Sequence, residues 1–285
     1  MRRLAGVAAV LLLSACGERP PGAGDGDGGP VVYEADALVL DEADRAPVLC
    51  LGAVADSLPP QCQGVPVVGW DWAAVEGEEM ASETTWGSFH VVGTYDGSAF
   101  TVTNAGPPEP FEPSGGDPVD TPCPEPDGGW MASDPSLATE DVMLELMRTV
   151  EDEPDFAGFW IDYVQEPVGE VVAEPGGIIA NVAFTSDLEG HDAEIRELWG
   201  GPLCLVEHEH TYDELRRIQR ELGNGGAAEL GLESTWSGVS NQDNVVELGV
   251  IVADDALRAA VEARFGEGTV LLHPALVPVD AGSAS

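Results

Sequence analysis

The chain is predicted to be α+β, a small disulfide-stapled β domain followed by two tandem ferredoxin-like (βαββαβ) units. Three observations predict this. Short alternating apolar runs lie between turn residues from Val31 to Thr103, a proline-dense break covers 104–129, and a helix, strand, strand, helix, strand order occurs twice between 130 and 280.

The first element is not part of the fold. Arg2 and Arg3 precede the apolar run Leu4 to Leu13 and then Ser14-Ala15-Cys16. A basic start, a short apolar core and small residues at the end make a secretory signal peptide over 1–15, too short for a span that needs about 20 apolar residues. The ending Leu13-Ser14-Ala15-Cys16 resembles the lipobox of bacterial lipoproteins. That resemblance implies that Cys16 becomes the acylated, palmitate-bearing N-terminus and that the chain is held on the extracytoplasmic face of the cell membrane. Residues 16–30 then read as the lipidated cysteine and a flexible tether, reaching roughly 20 Å as a coil. Its Gly24-Asp25-Gly26-Asp27-Gly28-Gly29 fits a dinucleotide-binding spacing. No strand precedes it, no helix follows it, and its two aspartates repel a pyrophosphate.

Charge excludes whole classes of partner. With 52 acidic residues against 11 basic ones, the chain carries −41. This field repels phosphate backbones and anionic lipid surfaces, so no nucleic-acid partner is expected and the membrane is reached through the lipid. Every basic side chain is arginine. A missing lysine excludes a phosphate-loop lysine, a pyridoxal Schiff base and a serine–lysine hydrolase.

Between 31 and 103, Val48 to Leu51, Val65 to Val68, Phe89 to Val92 and Ala99 to Val102 read as strands, with a hairpin turn at Tyr95-Asp96-Gly97-Ser98. So small a unit is marginal on core area alone. Besides Cys16 there are four cysteines, and an even number in an exported chain favours two bridges. Three connectivities exist; Cys50 with Cys62 and Cys123 with Cys204 is the expected one. The first closes a short loop across Leu58-Pro59-Pro60, worth on the order of 3 kcal/mol. No Cys-x-x-Cys spacing occurs, so these cysteines are not expected to hold a metal.

The proline-dense segment 104–129 reads as a stiff domain linker. Beyond it, Thr139 opens a helix with the stripe Val142, Met143, Leu146, Met147, Val150. Strands follow at Phe156 to Val164 and Ile178 to Thr185. A second helix is expected from a Ser186/Glu189 capping box to Gly200, then a strand at Pro202 to His208. The order repeats with the Thr211/Glu214 capping box, a helix ended by Gly223, a hairpin around Asn241-Gln242-Asp243-Asn244, a helix from Asp254 to Gly266, and a closing strand at Thr269 to Val277. The strand at Leu203 to His208 can serve both units. Two such sheets either pack on each other or leave one face for a partner.

Two further resemblances rest on particular residues. Cys50-Leu51-Gly52, Ser57-Leu58-Pro59-Pro60-Gln61-Cys62, Trp86-Gly87 and Gly93-Thr94-Tyr95-Asp96-Gly97 look like a segment of uncharacterised actinobacterial lipoproteins. The stretch from Asn244-Val245-Val246 through Ala259-Ala260-Val261 to Phe265-Gly266 and Val270 is similar to the pro-regions of secreted actinobacterial serine proteases. The second implies an inhibitor or folding helper.

Candidate chemistry is sparse. His208 and His210 on one strand face, with His191, could share a zinc. The competing account is a pair of polar residues where a strand leaves its sheet. Glu151-Asp152-Glu153-Pro154-Asp155 and Asp162 lack the alternating pattern of a calcium loop and read as a solvated charge run. Ser237 lacks the leading glycine of a nucleophile elbow. Trp70 and Trp72 could stack on a sugar from one strand face, or simply pack. The reading is therefore an exported, lipid-anchored, non-enzymatic binding or interaction protein with no metal and no cofactor, whose partner is an envelope protein. The alternatives are a metal-dependent extracytoplasmic hydrolase using His208 and His210, and a protease inhibitor or chaperone-like module.

Overall fold

The computed structural model describes residues 30–108, 110, 121–164 and 175–279. The expected signal peptide, Cys16 and the tether lie outside the described residues, as does part of the expected linker. Within them the chain is mixed α+β, with two disulfides.

The N-terminal part forms a closed ring of five strands. These are β1 (Val32–Glu42), β2 (Val48–Cys50), β5 (Val65–Val68), β8 (Phe100–Gly106) and β7 (Thr84–Tyr95). Between β2 and β5 sits the small hairpin β3 (Val54–Ala55) and β4 (Gln61–Cys62), while β6 (Glu79–Ala81) extends β7 at its start. The ring closes because β1 pairs with β2 through Leu38–Leu40 and along its whole length with β7, from Val32↔Thr94 to Glu42↔Thr84. All ring pairs are antiparallel except β5 with β8. The five strands thus close on themselves as a small barrel, an architecture that carries no function by itself.

Alternation fills the barrel. Ala35, Val39, Leu49, Val65, Val67, Phe89, Val91 and Phe100 point inward, and Ile251 and Leu276 from the far end of the chain join the same core. On the outside, Leu40, Cys50 and Trp86 form a smaller cluster with Cys62 packed against it. The Cys50–Cys62 disulfide thus ties the β3–β4 hairpin to that outer cluster.

Two units of the same order follow. The first is α1 (Glu140–Glu151), β9 (Phe156–Tyr163), β10 (Ile178–Phe184), α2 (Leu188–Leu198) and β11 (Leu203–Glu207). The second is α3 (Tyr212–Glu221), β12 (Ser234–Ser240), β13 (Val245–Val250), α5 (Asp255–Phe265) and β14 (Val270–Pro274), with the single turn α4 (Ala227–Glu229) after α3. Each unit has an antiparallel hairpin, β9–β10 or β12–β13, and a third strand laid parallel beside it. A ferredoxin-like sheet has four strands, one of them set between the parallel pair. Here each sheet has three among the described residues, with the parallel strands paired directly. The strand expected to serve both units, β11, pairs with β10 and belongs to the first sheet alone.

Thr139, Thr211 and Asp254 cap their helices as the sequence predicts, accepting from Val142, Glu214 and Leu257 N–H groups. Two other expectations need correction. The Ser186/Glu189 box does not form, because Asp187 is left-handed (φ 49°) and the Ser186 hydroxyl is turned away, donating to Asp155. Nor does Gly223 stop α3. Helical geometry is lost one residue later, at Asn224 (φ −90°, ψ 22°), and the chain reverses its hand at Gly225 (φ 109°).

The two units share α3. Tyr212 packs edge-on against Phe156 of the first core, while Leu215 and Ile218 fill the second. The chain then returns to the barrel. After β14, Leu276 enters the barrel core and β15 (Val277–Pro278) pairs with Tyr33 and Glu34 of β1. The expected 130–280 block therefore contributes its last strand to the N-terminal sheet.

Candidate functional site

Two clefts among the described residues lie where the C-terminal sheet meets the barrel. One, of 490 Å³, is bounded by the barrel residues Gln63, Val65, Tyr95 and Ser98 and by Glu233 to Thr235 at the start of β12. The other, of 460 Å³, lies between Asp36 and Ala37 of β1, Ala275, and Trp236 of β12. Leu51, Gly52 and Ala53 wall both clefts and form the ridge between them.

Close approach explains the ridge. A Cβ at Gly52 would stand 3.0 Å from the Thr235 Cβ, so a residue without a side chain lets the barrel loop press on β12. Tyr95 fixes the same seam by donating a 2.7 Å hydrogen bond to a carboxylate oxygen of Glu233. Burial and that carboxylate push the Tyr95 phenol well above its ordinary value. The Thr235 hydroxyl is buried beside the cleft with no hydrogen-bond partner.

Trp236 supplies the aromatic surface. It pairs with Gly249 across the hairpin, and Gly249 pairs with His273 of β14, so the three share the sheet face away from the helices. A Cβ at Gly249 would lie 2.0 Å from the indole nitrogen, so only glycine lets the ring lie down over the sheet. The indole meets the His273 ring at 5.4 Å, nearly parallel, and His273 Nε2 stands 3.2 Å from Glu247. Trp236 stays 42 % exposed.

The residues singled out from sequence fall elsewhere. The four cysteines pair as Cys50–Cys62 and Cys123–Cys204. The second bridge pins the end of the proline-dense segment to β11, beside Thr121, which donates to the fully buried Asn181. Asn181 in turn donates to Asp162, so this polar row helps cover the outer face of the first sheet.

His208 and His210 do not share a strand face, since β11 ends at Glu207 and both follow it. His208 stacks on Trp160, and burial pushes its imidazole pKa down against the opposing pull of the Asn241 backbone and Asp243. His210 faces Glu214 at 3.5 Å and Thr269 at 3.4 Å. His191 lies flat on Phe184 and contacts Asp155 at 3.1 Å. The three imidazoles thus have separate neighbours, and among the described residues no group of three or more His, Cys, Asp or Glu side chains gathers at metal-binding distance.

The acidic run is divided too. Glu151 and Asp152 are exposed, whereas Asp155 is held by Ser186 and His191. Burial pushes the Asp155 carboxyl up, and the hydrogen bonds from Ser186 and His191, with the attraction to His191 and a backbone hydrogen bond, together outweigh it, leaving the pKa lowered. Ser237 receives a hydrogen bond from Gln219. Trp70 and Trp72 are not on a strand. They follow β5, with Trp72 in a one-turn helix capped by Asp71, and pack edge-to-face with each other and against Phe89 on the barrel core. Trp236, absent from the sequence-based candidates, takes the exposed aromatic position. Its signal was an aromatic on a strand opposite a glycine.

No protein-family model matches this chain, and no curated protein matches it in sequence.

Proposed function

We propose that this chain is an exported lipoprotein, anchored through acylated Cys16 on the extracytoplasmic face of the cell membrane, that binds a ligand or an envelope partner and catalyses nothing. One observation carries the reading. The two disulfides use Cys50, Cys62, Cys123 and Cys204, which leaves Cys16 as the single cysteine without a bridge. Two bridges suit an oxidising compartment, and a lone thiol at the end of a lipobox-like segment suits acylation. Among the described residues no helix is long and apolar enough to cross a membrane. The binding role rests on the two clefts at the seam, where polar and aromatic side chains converge.

Growth of the producing organism with labelled palmitate tests the anchor. The parent chain should take up label and fractionate with membranes, and a Cys16→Ser chain should be unlabelled and released. An unlabelled parent in the cytosol with reduced thiols would overturn the reading.

A further inference from the structure

We propose that the clefts on either side of Gly52 form one extended site for a neutral or amino-bearing oligosaccharide, with Trp236 as its stacking platform. The inference rests on the binding reading above and adds the ligand class.

The lining has the chemistry that a polyhydroxyl ligand needs. Gln63, Tyr95, Ser98, Ser234 and Thr235 line one cleft; the Tyr95 and Ser98 hydroxyls already donate to Glu233 and Asp96 and keep lone pairs that can accept from a ligand, and the Thr235 hydroxyl lies buried behind the wall with no partner. A buried hydroxyl without a partner is unfavourable, and a ligand hydroxyl that reaches it through the cleft wall would satisfy it. In the neighbouring cleft Trp236 presents an indole laid down over Gly249, an arrangement suited to the apolar face of a sugar ring. Both volumes, 490 and 460 Å³, lie in the range of small-molecule sites, and their common wall at Leu51–Ala53 makes the pair elongated.

Charge selects among sugars. Glu233 stands at the first cleft and Asp36 at the second, and no arginine lines either one among the described residues. On a chain of net charge −41 this field opposes uronates, phosphorylated glycans and nucleic acids, and favours neutral or cationic rings.

Calorimetric titration of the full chain in nonionic detergent tests the proposal with three probes: the trimer of N-acetylglucosamine, the trimer of glucosamine, and the trimer of galacturonic acid. The first two should bind saturably and the third at least about tenfold more weakly. Trp236→Ala should weaken binding of the first two by about tenfold, and Thr235→Val, which keeps the side-chain shape, by several-fold. Thr235→Val decides the matter if Trp236→Ala fails to fold. The proposal is overturned by no saturable heat with either amino sugar, by equal binding of the galacturonate trimer, or by parental affinity in a folded variant. Palmitate labelling is untouched by each of these outcomes, so loss of the sugar site and loss of the anchored-lipoprotein reading are separable.

Discussion

The Tyr95 hydroxyl reaches Glu233, 138 residues further along the chain, at 2.7 Å, and so joins the last turn of the barrel to the first strand of the C-terminal hairpin. Tyr95→Phe removes this bond and leaves the ring. Because the pair is exposed, the expected loss at pH 7 is small, about 0.5–1 kcal/mol. Its pH dependence is more diagnostic. A phenol whose folded pKa is raised contributes stability that is complete below its unfolded value of about 10 and is lost as pH rises through the folded value. Urea unfolding should show the parent losing stability above pH 10 more steeply than Tyr95→Phe. Parallel slopes would sever Tyr95 from the seam.

Leu276 belongs to the C-terminal stretch yet lies fully buried in the barrel core with Ile251. Leu276→Ala should cost about 2–5 kcal/mol, the range for an emptied core position. Since β15 also pairs with β1, barrel and second unit should unfold in one transition monitored by far-UV and near-UV dichroism. Two separated transitions in the parent would show that the shared core does not couple them.

Much of this architecture was legible in the sequence, and the failures have definite causes. Helix starts were readable wherever a Thr or Asp could reach a backbone N–H three residues on, as at Thr139, Thr211 and Asp254. Ser186 looked the same in sequence, but a nearby carboxylate, Asp155, claimed its hydroxyl. The longest missed element is β1, whose inward positions include the small residues Ala35 and Ala37 and whose outward ones include Glu34 and Asp36. A tight barrel wants little volume at such positions, so the apolar signal is weak. Ring closure by β1 and β7 is a long-range pairing with no local signature. The site suffered from the same limit. A tryptophan near a β core reads alike whether packed, like Trp70, or exposed, like Trp236, and only the glycine across the hairpin separates the two.

The two bridges should differ in worth. Cys123–Cys204 spans 81 residues and Cys50–Cys62 spans 12. Loop-closure entropy gives about 4.5 kcal/mol for the longer and about 3 kcal/mol for the shorter. Paired serine substitutions, compared by denaturant unfolding, should therefore destabilise more at Cys123 and Cys204. The segment around Cys123 is also held by Thr121, which donates to Asn181, a buried side chain on the first sheet. An equal or smaller loss than at Cys50 and Cys62 would mean that the segment around Cys123 is held by other contacts.

His208 gives the chain an acid-sensitive position. Its ring is stacked on Trp160, its Nε2 is buried without a partner, and burial lowers its pKa. The unfolded chain therefore takes up this proton first, near pH 6.5, while the folded chain resists it. Stability from the neutral ring is complete above that value and declines as pH falls toward the folded pKa. Replacement by phenylalanine keeps an aromatic on Trp160 and removes the titration. Unfolding free energies measured from pH 7.5 to 5 should fall with acidity in the parent and fall less in His208→Phe. If the two curves run parallel, the imidazole is protonated in the folded state as readily as in the unfolded one, and the stacking on Trp160 does not exclude its charged form.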